Sequence, residues 1–160
     1  MDKESAVESL TDTMAKFTAY IGKRLPKDVK AKLADLRTME TNPLAKSVYD
    51  SMAGNQEAAD KLDRPSCQDT GVIQYFVEAG ARFPLLGELE EILREATAQA
   101  TRMGPLRHNA VETFDEKNTG TNTGTQIPWL DWRIVPEKDN CTIDVYMAGG
   151  GCTLPGAARC

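Results

Sequence analysis

Apolar residues recur at three- and four-residue steps through the first third of the chain. Val7, Leu10, Met14, Phe17 and Ile21 form one stripe, which predicts an amphipathic helix. Leu25-Pro26 ends it, because a residue before proline resists the α conformation. Pro26 suits the start of a second helix, with Val29, Leu33 and Leu36 on its buried face. Asn42-Pro43 reads as an N-cap followed by proline at the first helical position, and Leu44, Val48 and Met52 continue a third helix. Gly54-Asn55 is expected to weaken or break it before Ala58, Ala59 and Leu62.

The periodicity changes at Arg64-Pro65. Val72-Ile73-Gln74-Tyr75-Phe76-Val77 is short and rich in β-formers, so it predicts a strand. Gly80 and Pro84 bracket a turn. A helix follows with Leu89, Ile92, Leu93, Ala96, Ala100 and Met103 on one side, and Gly104-Pro105 stops it. Residues 117–127 form a polar loop with two Asn-Thr-Gly triplets. From Trp129 to Val135, Leu130, Trp132 and Ile134 alternate with Asp131 and Arg133, which predicts a half-buried strand. Thr142 to Met147 is another strand, and residues 136–140 read as a hairpin-like connection between the two. The fold class is therefore α+β, with helices first and a mixed strand and helix region after them. We expect one domain, helical over 1–62 and strand-rich over 63–156, with no solenoid repeat.

Composition narrows the class. The chain has 160 residues, 41% apolar and 27% charged, ordinary values for a soluble globular protein. A net charge of −5 with no basic block argues against nucleic acid as the main partner. No stretch approaches the ~20 apolar residues that span a bilayer. The first residues lack a basic segment and an apolar run, so no signal peptide is expected, and the simplest location is the cytoplasm. The four cysteines, Cys67, Cys141, Cys152 and Cys160, contain no C-x-x-C pair, and His108 is the single histidine. That spacing disfavours a structural zinc site. Four unpaired thiols, two or three of them buried, are the plain expectation.

Four places could carry chemistry. Cys67-Gln68-Asp69 packs a thiol, an amide and a carboxylate into a loop bounded by Pro65 and Gly71. A loop can aim neighbouring side chains into one pocket, which a regular element cannot. A soft thiolate suits an iron–sulfur cluster, Asp69 could carry a proton, and Gln68 could donate to a substrate carboxylate. A buried cysteine beside an Asx turn explains the same residues without chemistry. Arg107 could hold a carboxylate bidentately; a surface arginine beside a structural His108 is the plainer reading. Gly149-Gly150-Gly151 could let backbone approach an anion, or could be a tight turn. The double Asn-Thr-Gly loop could be a lid or a substrate-binding loop.

Five segments occur in order: Arg64-Pro65-Ser66-Cys67-Gln68-Asp69-Thr70-Gly71, Arg82-Phe83-Pro84-Leu85-Leu86-Gly87-Glu88-Leu89, Pro105-Leu106-Arg107-His108-Asn109-Ala110-Val111-Glu112, the two Asn-Thr-Gly triplets, and Tyr146-Met147-Ala148-Gly149-Gly150-Gly151-Cys152-Thr153-Leu154-Pro155-Gly156. Together they resemble the iron–sulfur hydro-lyase family of class I fumarase and the α subunit of L(+)-tartrate dehydratase. The likeness runs nearly the whole chain, to Gly156. It implies the N-terminal, catalytic α domain type of that family and a [4Fe–4S] cluster held by three cysteines, with one iron open to substrate. By the match, Cys67 is the first cluster ligand. Gln68 and Asp69 contact substrate, with Asp69 also a catalytic proton carrier. Arg107 binds a substrate carboxylate, and Gly150 lies beside the substrate. The substrate implied is a 2-hydroxy dicarboxylic acid, L(+)-tartrate before malate.

The resemblance has limits. The family's α subunit is about twice as long, and Cys141, Cys152 and Cys160 do not fall on its other ligand positions. Residues 157–160 lose the likeness. The chain therefore reads as an N-terminal piece that would need a β subunit, in an α2β2 heterotetramer, and would hold no cluster alone. Two alternatives stay open: the corresponding part of a class I fumarase, and a non-catalytic α/β interaction module descended from this ancestry.

Overall fold

A computed structural model describes residues 2–67, 69–104, 106–112 and 114–149. Its elements are α1 (Lys3–Lys23), α2 (Lys27–Met39), α3 (Pro43–Leu62), β1 (Val72–Gly80), a 3-10 turn (Leu86–Glu88), α4 (Leu89–Met103), β2 (Trp129–Val135) and β3 (Cys141–Ala148). The chain is α+β, as its pattern predicts. Start signals act where expected. Asp2 caps α1 by accepting from Ser5 N at 2.8 Å, and Asn42 caps α3 by accepting from Leu44 N at 2.9 Å.

The core forms where α1 and α4 pack together against β1. Met14, Ala15 and Ala19 of α1 meet Leu89, Leu93, Ala96 and Ala100 of α4, with Ile73, Tyr75, Val77 and Ala79 of β1 beneath. Alanine on both helices lets them approach closely. At Gly104, which ends α4, an added Cβ would lie 3.0 Å from that of Ala19. Tyr75 is fully buried and its hydroxyl shares hydrogen bonds with Thr18 at 3.1 Å and Thr97 at 3.0 Å, so one phenol ties both helices to the strand. Burial pushes the Tyr75 phenol above its ordinary pKa, and the two threonine hydroxyls partly offset that.

The sheet departs from the expected connectivity. Its order is β2-β1-β3, with β1 parallel to β2 and antiparallel to β3. Residues 136–140 are therefore no hairpin: they cross the end of β1 to reach its far side. Gly80 N donates to Asn140 O at 2.8 Å and Arg82 N to Lys138 O at 3.0 Å, which seats the crossing. A Cβ at Gly80 would fall 2.2 Å from Lys138 O, so the crossing needs glycine beneath it. The alternation in β2 suits a strand, but as an edge strand it is only lightly buried, with Trp129 and Ile134 about half exposed.

Helix α2 corrects another expectation. It has no buried residue; Val29 and Leu36 are exposed, and Leu33 is half-buried against α3. Ion pairs link this helical pair to the end of α1. Lys23 and Arg24 reach Asp63, while Arg24 and Lys30 reach Asp60. The Lys30 hydrogen bond holds the Asp60 carboxyl below the usual carboxylate range, and that of Lys23 does the same for Asp63. Gly54-Asn55 does not break α3 either. Helix continues to Leu62, because its remaining residues favour helix and a single glycine costs only about 1 kcal/mol relative to alanine. Met103, expected on the buried side of α4, is 46% exposed at the last residue of its helix. No described helix is long and apolar enough to cross a membrane.

Candidate active-site loop

Cys67 lies between α3 and β1, and its loop is tied from both sides. Asn55 Nδ2 donates to Ser66 O at 2.7 Å, so a residue that reads as a helix breaker instead anchors this loop from within α3. Asp69 N lies 3.4 Å from Cys67 Sγ, a backbone donor directed at the sulfur. Cys67 is exposed and Cys141 half-buried, so neither described thiol is the fully buried cysteine of the plainer reading. Burial raises the Cys141 thiol above its ordinary pKa.

Asp69 is held as part of an Asx turn. Its Oδ1 accepts from Gly71 N at 2.9 Å and from Asn109 Nδ2 at 2.7 Å. A Cβ at Gly149 would sit 3.3 Å from Asp69 Oδ2, so the glycine run after β3 begins beside this carboxylate. Gly71, at φ 74°, packs under Ala148, whose carbonyl oxygen a Cβ there would meet at 2.0 Å. Strand pairing of Val72 with Ala148 thus delivers the Gly149 end of β3 to the Cys67–Gly71 loop.

Arg107 arrives from the segment after α4. Its backbone N–H donates to the buried Thr70 hydroxyl at 2.8 Å, while its side chain is exposed. Leu106, Arg107, His108 and Asn109 line an open cleft of about 430 Å³. His108 is exposed. Cys67, Asp69 and Arg107 thus belong to one neighbourhood joined through Thr70 and Asn109. Gln68 and Gly150, the other expected substrate contacts, lie outside the described residues, as do Cys152 and Cys160.

The polar loop 117–127 is a cradle. Asn122, expected in a lid or substrate-binding loop, is 2% exposed and takes four hydrogen bonds, three of them to the 107–110 backbone and one to Thr101. Asn118 Nδ2 donates to His108 O, and both Glu112 carboxylate oxygens accept from Thr125. Thr70, Asn109 and Asn122 all stand inside the five segments, and Asn122 inside the candidate loop, but spacing alone does not give their partners.

An iron–sulfur cluster fits this site in part. An exposed thiol with a backbone N–H beside its sulfur suits one corner of a cluster. Among the described residues, no group of three or more His, Cys, Asp or Glu could hold a metal ion. The described residues therefore offer one exposed thiol that a cluster could use and no complete cluster site.

Comparison with known proteins finds relatives that match nearly the whole chain. The L(+)-tartrate dehydratase subunit alpha of Escherichia coli (strain K12) is 54% identical over 158 residues, 99% of this chain and 52% of that protein. Its counterpart in Shigella boydii serotype 4 (strain Sb227) matches equally, at 54% over the same span. A putative fumarate hydratase class I of Geobacillus stearothermophilus is 29% identical over 147 residues, 91% of this chain and 28% of that protein. The chain spans about half the length of the tartrate dehydratase subunits it matches, 52% of each. The family model for fumarate hydratase (Fumerase) matches residues 11–160, and the chain belongs to that family.

Proposed function

We propose that this chain is part of the α subunit of an iron–sulfur hydro-lyase that dehydrates a 2-hydroxy dicarboxylic acid, L(+)-tartrate to oxaloacetate. One observation carries the reading: the fold joins Cys67, Asp69 and Arg107 through Thr70 and Asn109, beside the start of the glycine run. The 54% identity to tartrate dehydratase α subunits supports tartrate over malate.

In this reading Cys67 supplies one thiolate of a [4Fe–4S] cluster, and its other ligands come from outside the described residues. A bound cluster would supply Lewis acidity at the departing hydroxyl. Arg107 takes a substrate carboxylate, a pairing its forked donors favour. Gln68 donates to substrate, and Gly150 leaves room for it. Asp69, held at Oδ1 by two N–H donors, presents its carboxylate to the substrate as a proton carrier. Overall the C–O bond breaks with its electron pair leaving on oxygen, the adjacent carbon loses a proton, and the resulting enol becomes oxaloacetate. The remaining substrate contacts and the catalytic base belong to a β subunit, in an α2β2 assembly located in the cytoplasm.

The test is to co-express the full-length α chain with its β partner, reconstitute it anaerobically and follow loss of water from each substrate. Oxaloacetate from L(+)-tartrate at a higher kcat/KM than fumarate from malate is expected. Dehydration of neither acid would overturn the proposal. A preference for malate would replace tartrate with the fumarase reading that the 29% relative represents.

A further inference from the structure

The second Asn-Thr-Gly triplet has no role in the reading above, yet its asparagine side chain makes four hydrogen bonds beside the site. Asn122 Oδ1 accepts from Asn109 N at 2.9 Å and Ala110 N at 3.2 Å. Its Nδ2 donates to Arg107 O at 2.8 Å and to Thr101 Oγ1 at 3.1 Å. Those four bonds use the whole capacity of a primary amide. The residue is at φ 56°, a left-handed conformation that asparagine tolerates better than most.

These bonds have a direction. Thr101 belongs to α4, is 1% exposed, and shares its one hydroxyl proton between Thr97 O at 2.8 Å and Thr121 O at 3.1 Å. Asn122 is therefore seated on the rigid core. From that seat it grips three successive peptide groups of the segment that carries Arg107. The Arg107 backbone is held at both ends, its N–H by Thr70 and its C=O by Asn122. Thr70 and Asn122 are both buried, whereas the Arg107 side chain is exposed. An exposed, many-jointed side chain binds a carboxylate well only when its root is fixed, because the ordering it loses on binding is then smaller.

We propose that Asn122 is a positioning residue for Arg107: its buried amide fixes the Arg107 peptide so that the guanidinium meets the substrate carboxylate. This rests on Arg107 binding substrate, as in the proposed function. The loop 117–127 then acts as a fixed cradle for the carboxylate site, and its repeated asparagines grip adjoining peptide groups. Asn118 takes the His108 carbonyl and Asn122 the Arg107 carbonyl.

A double-mutant cycle in the full-length α and β complex tests it. Asn122→Ala, Arg107→Ala and the double variant are compared by KM for L(+)-tartrate. Calorimetric Kd for malonate, a dicarboxylate with no hydroxyl to lose, gives a reading independent of turnover. Asn122→Ala is expected to lower kcat/KM on the order of 100-fold, chiefly through KM, and to weaken malonate in parallel. Cluster absorbance is expected to stay at the level of the unsubstituted complex. In the Arg107→Ala background the Asn122 change should alter KM and Kd by no more than about twofold, since the two act as one unit. Fully additive effects, or unchanged KM and Kd in a properly assembled Asn122→Ala complex, would overturn the inference alone. If Arg107→Ala leaves KM and Kd unchanged, the carboxylate role of Arg107 fails, and this inference fails with it. Should the alanine variant not assemble, Asn122→Asp carries the same cycle: it keeps the acceptor for Asn109 and Ala110 and loses the donor to Arg107 O.

Discussion

Tyr75 shows how much a single polar atom can organise. Its ring fills the core while its hydroxyl joins Thr18 on α1 and Thr97 on α4. Tyr75→Phe keeps the ring and removes the junction, so we expect about 1–2 kcal/mol of destabilisation by chemical denaturation. The same phenol sets an alkaline limit. Its folded pKa is raised, so its contribution is fully present below the ordinary tyrosine value, about 10, and is lost as pH rises through the raised value. Tyr75→Phe should therefore flatten the alkaline decline in a denaturation series. Residues of this kind were only half legible. Val72–Val77 reads as a strand from its β-formers, but nothing in the spacing marks Tyr75 as the buried junction or names its partners. The same holds for Asn55 and Asn122. Each reads as loop or breaker chemistry, and each proves to be an anchor, because an amide takes whatever peptide group the tertiary fold brings to it.

Two glycines separate local propensity from tertiary demand at the scale of elements. Gly54 lies inside α3 with open space where a Cβ would go. Gly54→Ala is expected to stabilise the chain by about 0.5–1 kcal/mol. Gly80 ends β1 beneath the 136–140 crossing, where a Cβ would be 2.2 Å from backbone. Gly80→Ala is expected to destabilise by about 3 kcal/mol, and equal effects of the two substitutions in thermal melts would contradict the crossing. Helix starts were legible because capping is local: Asn42-Pro43 acts as its residues predict. The sheet order was not. Short strands with a five-residue link read as a hairpin, whereas here β1 inserts between β2 and β3, a choice made by burial of Ile73, Tyr75 and Val77 on the central strand. The burial of α2 was overestimated for a related reason. An apolar stripe shows which face a helix would bury, not whether a partner surface is present.

For the molecule as a whole, the core covers one face of the sheet and leaves the other open. Register sets Trp129 and Tyr146 on either side of Gln74, with Phe76 next along, and all three aromatic residues are exposed. Leu44, Val48 and Leu62 of α3 are exposed as well. Apolar area of that extent is characteristic of surfaces that other parts of an assembly cover. The five ordered segments made the family legible from sequence, while the geometry added which residues they bring together: Asp69 with Asn109, Thr70 with Arg107, and Gly149 with Asp69. The central claim is that the Cys67 loop is one wall of an iron–sulfur site. The visible absorbance of the anaerobically reconstituted full-length α and β complex, compared with that of its Cys67→Ser variant, tests it most directly. Loss of the cluster band in a variant that still assembles is the predicted result; an unchanged spectrum would contradict the claim.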